Sequence, residues 1–570
     1  MKTRFGERNS FDFIIVGAGS AGALLASRLA EGGEYSVLVL EAGGSDRRLW
    51  VHVPIGFAKT ILDKSINWAY QTEPQAELNN RSIYWPRGKL LGGSGAINGL
   101  VHIRGQREDY EDWKAQGCDG WGWDDVLPYF KRMEDHYLGA TALHGAGGPV
   151  AVHKPRDRSP LGDALIKAAA KSGIHPNDDF NGSTQAGAGA YDLTIRRGRR
   201  SNSAMGALRP ALRGGNVHLE LNAMVERVTF EGTRATGVAF RARGGAVESV
   251  RATREVILCG GAINTPQILM LSGIGSAESL RSHGVKVLAD RPEVGRNLQD
   301  HLVARFVFKT KRSITLNDQM KSVWGRLGIG MNYVFRRRGP LTFAAAQVGM
   351  FFKSEEGVPR VDVQSFFSPY SADGAGKSLH PFSAFTLTLT QSWPTSRGYV
   401  ALRDASPTTP PIIEPRYFST DHDRRFFVKA FRRVRQILSV EPIRGEIAEE
   451  LKPGPAVRSD DEILDYVRST ASTCFHPCGT CRMGSDMDSV VDLQLRVRGV
   501  SGLRIADASV MPSLTSGNIN APVLMIAEKA ADMIRHEHAS ERSDAIEPRA
   551  SQRATSAVPL GAEKLEYLLI

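Results

Sequence analysis

A histidine and two asparagines near the C-terminal end of the chain have the residue types and spacing to move a proton. His476 begins the segment His476-Pro-Cys-Gly-Thr-Cys481, and Asn518 lies two residues before Asn520. The ordinary pKa of histidine, about 6.5, leaves it largely neutral at pH 7 and able to accept a proton. An asparagine amide adds an uncharged donor and acceptor for the same oxygen atom. These residues predict general-base chemistry beside a bound group, which other elements must hold in place.

A glycine-rich turn near the N-terminus predicts that this group is a dinucleotide. The apolar run Phe13–Val16 leads into Gly17, Gly19 and Gly22, and a second apolar run ends at Glu41. Gly17 permits a tight turn, Gly19 lets backbone N–H groups approach a pyrophosphate, and Gly22 allows close packing of helix on strand. Glu41 can accept from a ribose 2′-hydroxyl, which disfavours NADP. The turn alone does not separate FAD from NAD.

A second glycine cluster, Arg87–Gly99, indicates how the chain could lie along a flat ring or a phosphate. Its glycines include Gly92 and Gly93, and residues without a Cβ let backbone approach a ligand closely. The long excursion after the second strand is unlike the compact six-stranded domain that binds NAD. That difference favours FAD.

Four segments together resemble the glucose–methanol–choline (GMC) family of FAD-dependent oxidoreductases. Residues 88–98 are similar to the first family signature, and residues 261–275 match the second at every restricted position. Residues 294–301 and 507–512 fit as well. The resemblance runs from about residue 11 to 536. It is nearest to the choline dehydrogenase-like and aliphatic alcohol dehydrogenase group.

The resemblance implies which residues contact FAD and how FAD is held. The ADP half would be held by Gly17, Gly19, Gly22 and Glu41, the isoalloxazine by Gly92, Gly93 and Asn98, the adenine by Val225, and the pyrophosphate and ribityl region by Asp507 and Ala508; Ser20, Ala42 and Asn520 complete the cofactor-binding set. Ile97 occupies the position at which some relatives attach FAD through a histidine. Isoleucine cannot form that bond, so we expect the FAD to be non-covalent.

The resemblance also implies an alcohol-oxidising pair. His476 matches the catalytic base of the family, and Asn518 matches a second catalytic position that is His in some branches and Asn in others. Oxidation removes a proton from the hydroxyl oxygen and a hydride from carbon, and the flavin accepts the hydride. An error of two positions in the alignment would exchange Asn518 with Asn520. His301 is expected to be structural.

The expected reaction is oxidation of a primary alcohol to the aldehyde, with electrons passed to a quinone-like acceptor. An alcohol oxidase that uses O₂ stays open, because oxygen access depends on the shape of the cavity. A choline dehydrogenase is a further alternative, and a light-driven fatty-acid decarboxylase is a more remote one. A non-catalytic flavin-binding scaffold is also possible.

Two features bear on the substrate. Relatives that oxidise choline place a glutamate against the trimethylammonium group, in a segment that aligns with Ala346–Phe351, where this chain has Gln347. An uncharged amide lacks the ion pairing that would select a cation. Aromatic residues of this region favour an apolar or aromatic alcohol, or else they belong to the core; they are Phe343, Phe351, Phe352, Phe366, Phe367 and Tyr370.

Composition excludes several classes of protein. The 570 residues carry a net charge of +11, but Lys and Arg are spread along the chain without stacking aromatics, so no nucleic-acid partner is expected. No apolar run approaches the roughly 18 residues that span a bilayer, and the first strand begins too early to leave room for a signal peptide. A cytoplasmic protein is expected, and the charge leaves open a peripheral position on the inner membrane face.

Five cysteines are few for a chain of this length, and their number is odd, so we expect no disulfide framework. Cys474, Cys478 and Cys481 surround His476, but zinc ligands normally come in separated knuckles. We therefore expect no metal site.

The expected fold is a Rossmann-like α/β domain that binds FAD, joined to an α+β substrate-binding domain on an antiparallel sheet. The FAD domain is discontinuous, with residues 1–160, 205–305 and 485–536, and the substrate domain takes 161–204 and 306–484. Residues 537–570 have the composition of a disordered tail.

One apolar segment with a basic end stands out within the substrate domain. Residues 323–338 are expected either to lie on a membrane surface, where a quinone could collect electrons, or to form a core helix.

Overall fold

The computed structural model describes the backbone of residues 9–374 and 376–554, and the side chains of residues 9–374 and 376–539. Two seven-stranded sheets organise this part of the chain. One sheet is largely parallel around its centre and the other is antiparallel. The expected fold class, an α/β domain joined to a domain on an antiparallel sheet, is confirmed.

The first sheet holds the glycine turn at the carboxyl end of its central strand. Its strands lie in the order Val217–Leu221, Val37–Glu41, Ser10–Val16, Val247–Leu258, Arg234–Ala242 and Ala223–Glu231, with Leu503–Ile505 beside Val247–Leu258. Ser10–Val16 is parallel to both neighbours, and its residues 13–16 are buried. Residues 13–16 are all apolar because both faces of a central parallel strand are covered by other elements of the fold.

The helix Ser20–Ala30 follows the glycine turn and joins the two ends of the chain. Its apolar residues Leu24, Leu25 and Leu29 are fully buried. Arg28 makes two hydrogen bonds of 2.8–2.9 Å to the carboxylate of Glu528, which belongs to the long helix Asn520–Ala554. Bidentate pairing of this kind fixes orientation as well as distance.

The second sheet is antiparallel throughout. Its strands lie in the order Ile447–Lys452, Leu302–Thr310, Ala384–Gln391, Val363–Ser368, Val348–Phe352 and Gly187–Ala190, with Ser472–Thr473 beside Leu302–Thr310. Alternate residues of the strand Leu302–Thr310 face opposite sides. Ala304, Phe306 and Phe308 enter the core beneath the helix Asp421–Leu438, whereas Val303 and Arg305 face a cavity.

Further elements connect and cover the two sheets. Other helices are Leu49–His52, Phe57–Thr60, Arg107–Ala115, Trp123–Met133, Pro160–Lys171, Arg209–Ala211, Gly261–Leu271, Ala277–Ser282, Leu316–Lys321, Val323–Arg336, Ile443–Glu446 and Asp460–Thr470. Short strand pairs are Tyr70–Gln71 with Tyr84–Trp85, Glu134–His136 with Val150–Val152, Ile195–Arg196 with Arg199–Arg200, Ile274–Gly275 with Ala289–Asp290, and Tyr399–Ala401 with Ile412–Glu414.

The C-terminal segment differs from its expected disorder in the part that the structure describes. The helix that begins at Asn520 continues to Ala554, so residues 537–554 are helical. Residues 555–570 lie outside the described residues. No helix within the described ranges combines the length and the apolar character that crossing a membrane requires.

Candidate active site

A cavity of about 820 Å³ is lined by residues from both sheets. Gly19 and Glu41 line it from the carboxyl ends of strands in the first sheet. His476 and Asn518 line the same cavity. Its volume lies in the upper part of the range for small-molecule sites, roughly 300–1,000 Å³. The cavity therefore joins the expected dinucleotide site to the expected proton-transfer pair.

The glycines of the N-terminal turn differ in what a side chain would meet. A Cβ on Gly22 would lie 2.0 Å from the carbonyl oxygen of Gly17, and one on Gly17 would lie 2.6 Å from the carbonyl oxygen of Cys259. Gly17 also has a φ of +103°, in the region that favours glycine. At Gly19 the nearest atom to a Cβ is the Cα of Gly93, at 3.9 Å. Gly17 and Gly22 are therefore required by packing, whereas Gly19 leaves open space within the cavity.

Glu41 lies at the edge of this turn and is held by backbone. Its Oε2 accepts a hydrogen bond of 2.9 Å from the N–H of Ala18, and its Oε1 accepts one of 2.8 Å from Gly43. Burial raises the pKa of Glu41 to about 7. Each oxygen keeps a further lone pair, so the carboxylate is oriented and still able to accept from a sugar hydroxyl. Ala42, the next residue, lines the cavity as well.

Two helix N-termini meet at the cavity. The hydroxyl of Ser20 donates a hydrogen bond of 2.7 Å to Oδ1 of Asn520, and each residue is the first of its helix. A Cβ on Gly95 would lie 2.5 Å from the Ser20 hydroxyl, so the second glycine cluster closes over this junction. Helix N-termini favour phosphate because unpaired N–H groups and the helix dipole point at it. With the open space at Gly19, the junction fits the diphosphate of a dinucleotide.

The second glycine cluster packs against the first. A Cβ on Gly93 would lie 2.7 Å from the Cα of Gly19, and Gly92 and Gly93 have φ values of +92° and +51°. Asn98 lines the cavity, and its side chain also stabilises the loop, because its Oδ1 accepts a hydrogen bond of 3.1 Å from the N–H of Leu100.

Arg200, which was not among the predicted site residues, packs behind this cluster. Arg200 is 1% exposed and donates to Oδ1 of Asn98 at 2.6 Å, to the carbonyl of Asn98 at 2.7 Å and to that of Val51 at 2.9 Å. Burial lowers the pKa of Arg200 to about 9. It belongs to the basic run 196–200, and such a run is normally a solvated surface. No local signal marks Arg200 as buried.

Three further residues that are expected to contact the cofactor, Val225, Asp507 and Ala508, line the cavity. The carboxylate of Asp507 accepts from the N–H of Gly261 at 2.8 Å and from the hydroxyl of Thr265 at 2.6 Å. Asp507 therefore fixes the start of the helix Gly261–Leu271 beside the cavity, in addition to any contact with a ligand.

Hydrogen bonds determine which nitrogen of His476 carries its proton. The carbonyl of Ser392 can only accept, so Nε2 of His301, at 3.0 Å, must donate to it. In a neutral His301 the Nδ1 is then an acceptor, and it accepts from Nδ1 of His476 at 2.9 Å. Nε2 of His476 is left unprotonated and accepts from the amide of Asn518 at 3.1 Å. The lone pair of the candidate base therefore lies beside Asn518, at the cavity.

Both imidazoles are held neutral. Burial, followed by the nearby His301 and Arg87, lowers the pKa of His476 well below its usual range. Burial lowers the pKa of His301 to about 4. A neutral His476 is available as a proton acceptor throughout the neutral pH range.

Asp300 positions the loop that carries His476. Its Oδ1 accepts from the backbone N–H of His476 at 2.6 Å, and its Oδ2 accepts from the hydroxyls of Thr473, at 2.6 Å, and Tyr417. Burial raises the pKa of Asp300 to about 6. The sequence segment 294–301 thus supplies both Asp300, which holds the backbone, and His301, which holds the ring.

The cysteines around His476 do not form a ligand cluster. Burial raises the pKa of the thiols of Cys474, Cys478 and Cys481. Within residues 9–374 and 376–539, no group of three His, Cys, Asp or Glu side chains has the arrangement to hold a metal ion.

The structure corrects the interpretation of Gln347. Its side chain is 1% exposed, donates to the carbonyl of Asp157 at 2.9 Å and does not line the cavity. It therefore says nothing about choline. Among the six aromatic residues singled out with it, only Phe366 and Tyr370 line the cavity.

Comparisons with known proteins agree with this geometry. Two sequence models described as GMC oxidoreductase match residues 11–303 and 394–527. Mitochondrial choline dehydrogenase of Homo sapiens is 42% identical over 93% of this chain and 90% of its own length. Alcohol dehydrogenase [acceptor] of Pseudomonas putida is 40% identical over 92% of this chain and 95% of its own. The crystal structure of pyridoxine 4-oxidase from Mesorbium loti superposes with a TM-score of 0.84 at 33% identity, covering 92% and 99% of the two chains.

Proposed function

The chain belongs to the GMC oxidoreductase family, whose cofactor is FAD, and from that premise we propose that it oxidises a primary alcohol to the aldehyde. The observation that carries the proposal is the unprotonated Nε2 of His476, which lies beside Asn518 in the same cavity as the glycine turn. A small-molecule substrate and an electron acceptor complete the reaction. With a quinone as acceptor, R–CH₂OH and the quinone give R–CHO and the quinol, so two electrons and two protons are transferred.

The proposed cofactor contacts follow the cavity from end to end. The ADP half is assigned to Gly17, Gly19, Ser20, Glu41, Ala42, Val225 and Asn520, and the flavin half to Gly93, Asn98, Asp507 and Ala508, all of which line the cavity. Gly22 and Gly92 do not line it, so their proposed part is to shape the two glycine turns from behind. Ile97 also lines the cavity. Its aliphatic side chain offers no group for a covalent bond to the flavin, so we propose non-covalent FAD.

The protein's part in the reaction is to take one proton and to fix one oxygen. When bound, FAD supplies the acceptor for the hydride that leaves carbon. The amide of Asn518 turns from Nε2 of His476 to the substrate oxygen. His476 then accepts the hydroxyl proton at Nε2, and the amide donates to the developing alkoxide. His301 keeps the ring of His476 in the required tautomer, and burial keeps bulk water from competing for the same oxygen.

An anaerobic screen of flavin bleaching tests this function. We expect primary alcohols to bleach the absorbance of the bound flavin and to yield the aldehyde in equal amount. Hydrogen peroxide formed stoichiometrically in aerated buffer would identify the oxidase alternative, and choline as the best substrate would identify the choline dehydrogenase alternative. If no alcohol bleaches the flavin, the protein is a non-catalytic flavin-binding scaffold. Release of an alkane on illumination would indicate the light-driven decarboxylase.

We also propose that the acceptor is a quinone drawn from a membrane surface. The helix Val323–Arg336 supports this, because its outer face is apolar and uncovered. Seven of the thirteen large apolar side chains that the described residues expose belong to it or to the preceding helix Leu316–Lys321: Met320, Val323, Trp324, Leu327, Met331, Val334 and Phe335. Its opposite face carries the buried Ile329 and Tyr333. Trp324, 83% exposed, is of the type that favours the membrane–water interface.

Charge indicates which surface would cover this face. Arg326, Arg336, Arg337 and Arg338 flank or follow the apolar stripe, and residues 319–354 include no acidic side chain. Anionic lipid attracts each such cation by about 1 kcal/mol. Met320 and Ile329 also line the cavity, so a quinone that leaves the lipid would enter beside this helix.

Vesicle binding provides a prediction for this surface. The holoenzyme should co-sediment with vesicles that contain anionic lipid, and the double variant Leu327→Glu/Phe335→Glu should bind about tenfold more weakly because charge replaces apolar contact. Met487→Glu is the matched control, since Met487 is 70% exposed and lies elsewhere. Equal binding of the double variant and the control variant would contradict the assignment. A dimer that dissociates in the double variant would indicate a second copy as the occupant.

A further inference from the structure

The cavity-facing side of the second sheet presents one cation among hydroxyls and apolar groups. Arg305 pairs in register with Thr388 of the neighbouring strand, and Thr388 pairs with Phe366 of the next. All three line the cavity, as does Val303, which precedes Arg305 on the same face. Arg305 is thus part of a sheet floor, on a rigid element rather than a loop.

Arg305 has no partner among the residues that the structure describes. No carboxylate lies within ion-pairing distance of its guanidinium, and the guanidinium donates no hydrogen bond to that part of the protein. This contrasts with Lys309, four residues further along the same strand, which is ion-paired to Glu449 at 2.9 Å. A partly buried cation without a partner is costly, because burial removes water without replacing its hydrogen bonds.

The remaining charges of the cavity do not compensate Arg305. The two carboxylates that line the described part of the cavity, Glu41 and Asp507, lie at the glycine turn and at the helix Gly261–Leu271, and both accept hydrogen bonds there. Lys59, Arg87 and Lys377 line the cavity as further cations. The part of the cavity that would hold the substrate therefore carries positive charge, which disfavours binding of a quaternary ammonium group and favours binding of an anion.

We propose that Arg305 binds a carboxylate at the far end of the alcohol, so that the preferred substrate is a hydroxy acid with its hydroxyl at His476. This rests on the proposed alcohol oxidation. A guanidinium presents paired N–H donors that match a carboxylate in a bidentate arrangement, so it fixes orientation as well as charge. A small number of polar groups placed in a mostly apolar cavity is the usual source of such selectivity.

Strand geometry separates the two ends of this substrate. Val303 pairs with Ser472, and His476 follows four residues later. Arg305 lies two residues beyond Val303, a rise of about 7 Å along the strand. A substrate that contacts both His476 and Arg305 must carry its hydroxyl and its carboxylate at opposite ends of a carbon chain, and Val303 and Phe366 supply apolar lining for that chain.

Specificity ratios of the holoenzyme test the assignment. With an artificial quinone as acceptor, kcat/KM for ω-hydroxyhexanoate should exceed that for hexanol by about tenfold or more, and choline should be poorer still. Arg305→Gln should lower the ratio of hydroxy acid to hexanol about tenfold, and Arg305→Lys should restore part of it. Lys309→Gln, which removes a paired cation from the same strand, should leave the ratio unchanged.

Binding of hexanoate, which has no hydroxyl to oxidise, gives a second measurement. Hexanoate should perturb the absorbance of the bound flavin, and Arg305→Gln should raise its Kd about tenfold. A wild-type preference for hexanol or choline, or equal ratios in wild type and Arg305→Gln, would overturn the assignment while leaving alcohol oxidation intact. If no alcohol bleaches the flavin, the proposed function fails, and hexanoate binding alone then supports or overturns the carboxylate site.

Discussion

Replacing His476 by alanine is expected to slow reduction of the flavin by alcohol by about 10²-fold or more, with FAD still bound. The reason is geometric: Nε2 of His476 is the unprotonated nitrogen, and Asn518 lies 3.1 Å from it. Alanine leaves the hydroxyl proton without an acceptor but removes nothing that lines the glycine turn. Anaerobic stopped-flow at a saturating alcohol concentration measures the rate, and the visible spectrum measures FAD content.

A surface histidine provides the control for this variant. The side chain of His422 is 60% exposed, so His422→Ala should reduce its flavin at the wild-type rate. Wild-type reduction in His476→Ala would refute the assignment of the base. Loss of FAD from His476→Ala would instead show that the residue serves the cofactor.

The pH dependence of the wild type follows from the lowered pKa of His476. Protonation disables the base, so the rate should stay constant from pH 9 down to about 6.5 and fall only on further acidification. Asp300, whose pKa is raised to about 6, lies in the same loop contact and also titrates on that acid side. An acid limb at or above about pH 7 would contradict a neutral, buried His476.

Gly22→Ala is expected to weaken FAD binding by about 10²-fold. A Cβ at this position would lie 2.0 Å from the carbonyl oxygen of Gly17 and 3.1 Å from the side chains of Cys259 and Ile15. Strand, turn and helix must then separate, and strain of this kind costs about 1–3 kcal/mol, of which each 1.4 kcal/mol is tenfold in Kd. Titration of the apoprotein with FAD measures the change.

Gly330→Ala is the matched control, because Gly330 is also helical and a Cβ there would meet no atom within 4 Å. It should bind FAD as the wild type does. Far-UV circular dichroism distinguishes loss of cofactor from loss of fold in Gly22→Ala. If a folded Gly22→Ala variant binds FAD as tightly as the wild type, the turn and the helix can move apart without loss of the binding site.

Local patterns carried most of the prediction of the fold. The glycine turn between two apolar runs fixes a strand, a helix start and a second strand within about 30 residues, so no distant contact is needed to recognise it. Residues 385–390 alternate between apolar side chains and threonine, a local pattern typical of the strand Ala384–Gln391 in which they lie. The helix to Ala554 was not predicted, because polar residues with weak periodicity predict disorder as readily as an exposed helix.

The features of the site that the sequence did not predict depend on contacts between residues far apart in the chain. His301 lies 175 residues before His476, and only the fold shows that the two rings are hydrogen-bonded. Arg200 and Arg305 are both arginines near the cavity, yet one is hydrogen-bonded to neighbouring carbonyls and the other lacks a partner in the described residues. Gln347 was misjudged because its position in an alignment did not reveal that its side chain turns toward Asp157.

The hydrogen bond between Ser20 and Asn520 joins residues 500 positions apart, and this has a consequence for biosynthesis. At about 5–20 residues per second, a ribosome needs about 25–100 seconds to travel from one residue to the other. During that interval the nascent chain holds a complete glycine turn, while the opposing helix N-terminus and the strand Leu503–Ile505 do not yet exist. A chain that ends before residue 520 therefore lacks one side of the cavity that Ser20 and Asn520 line together.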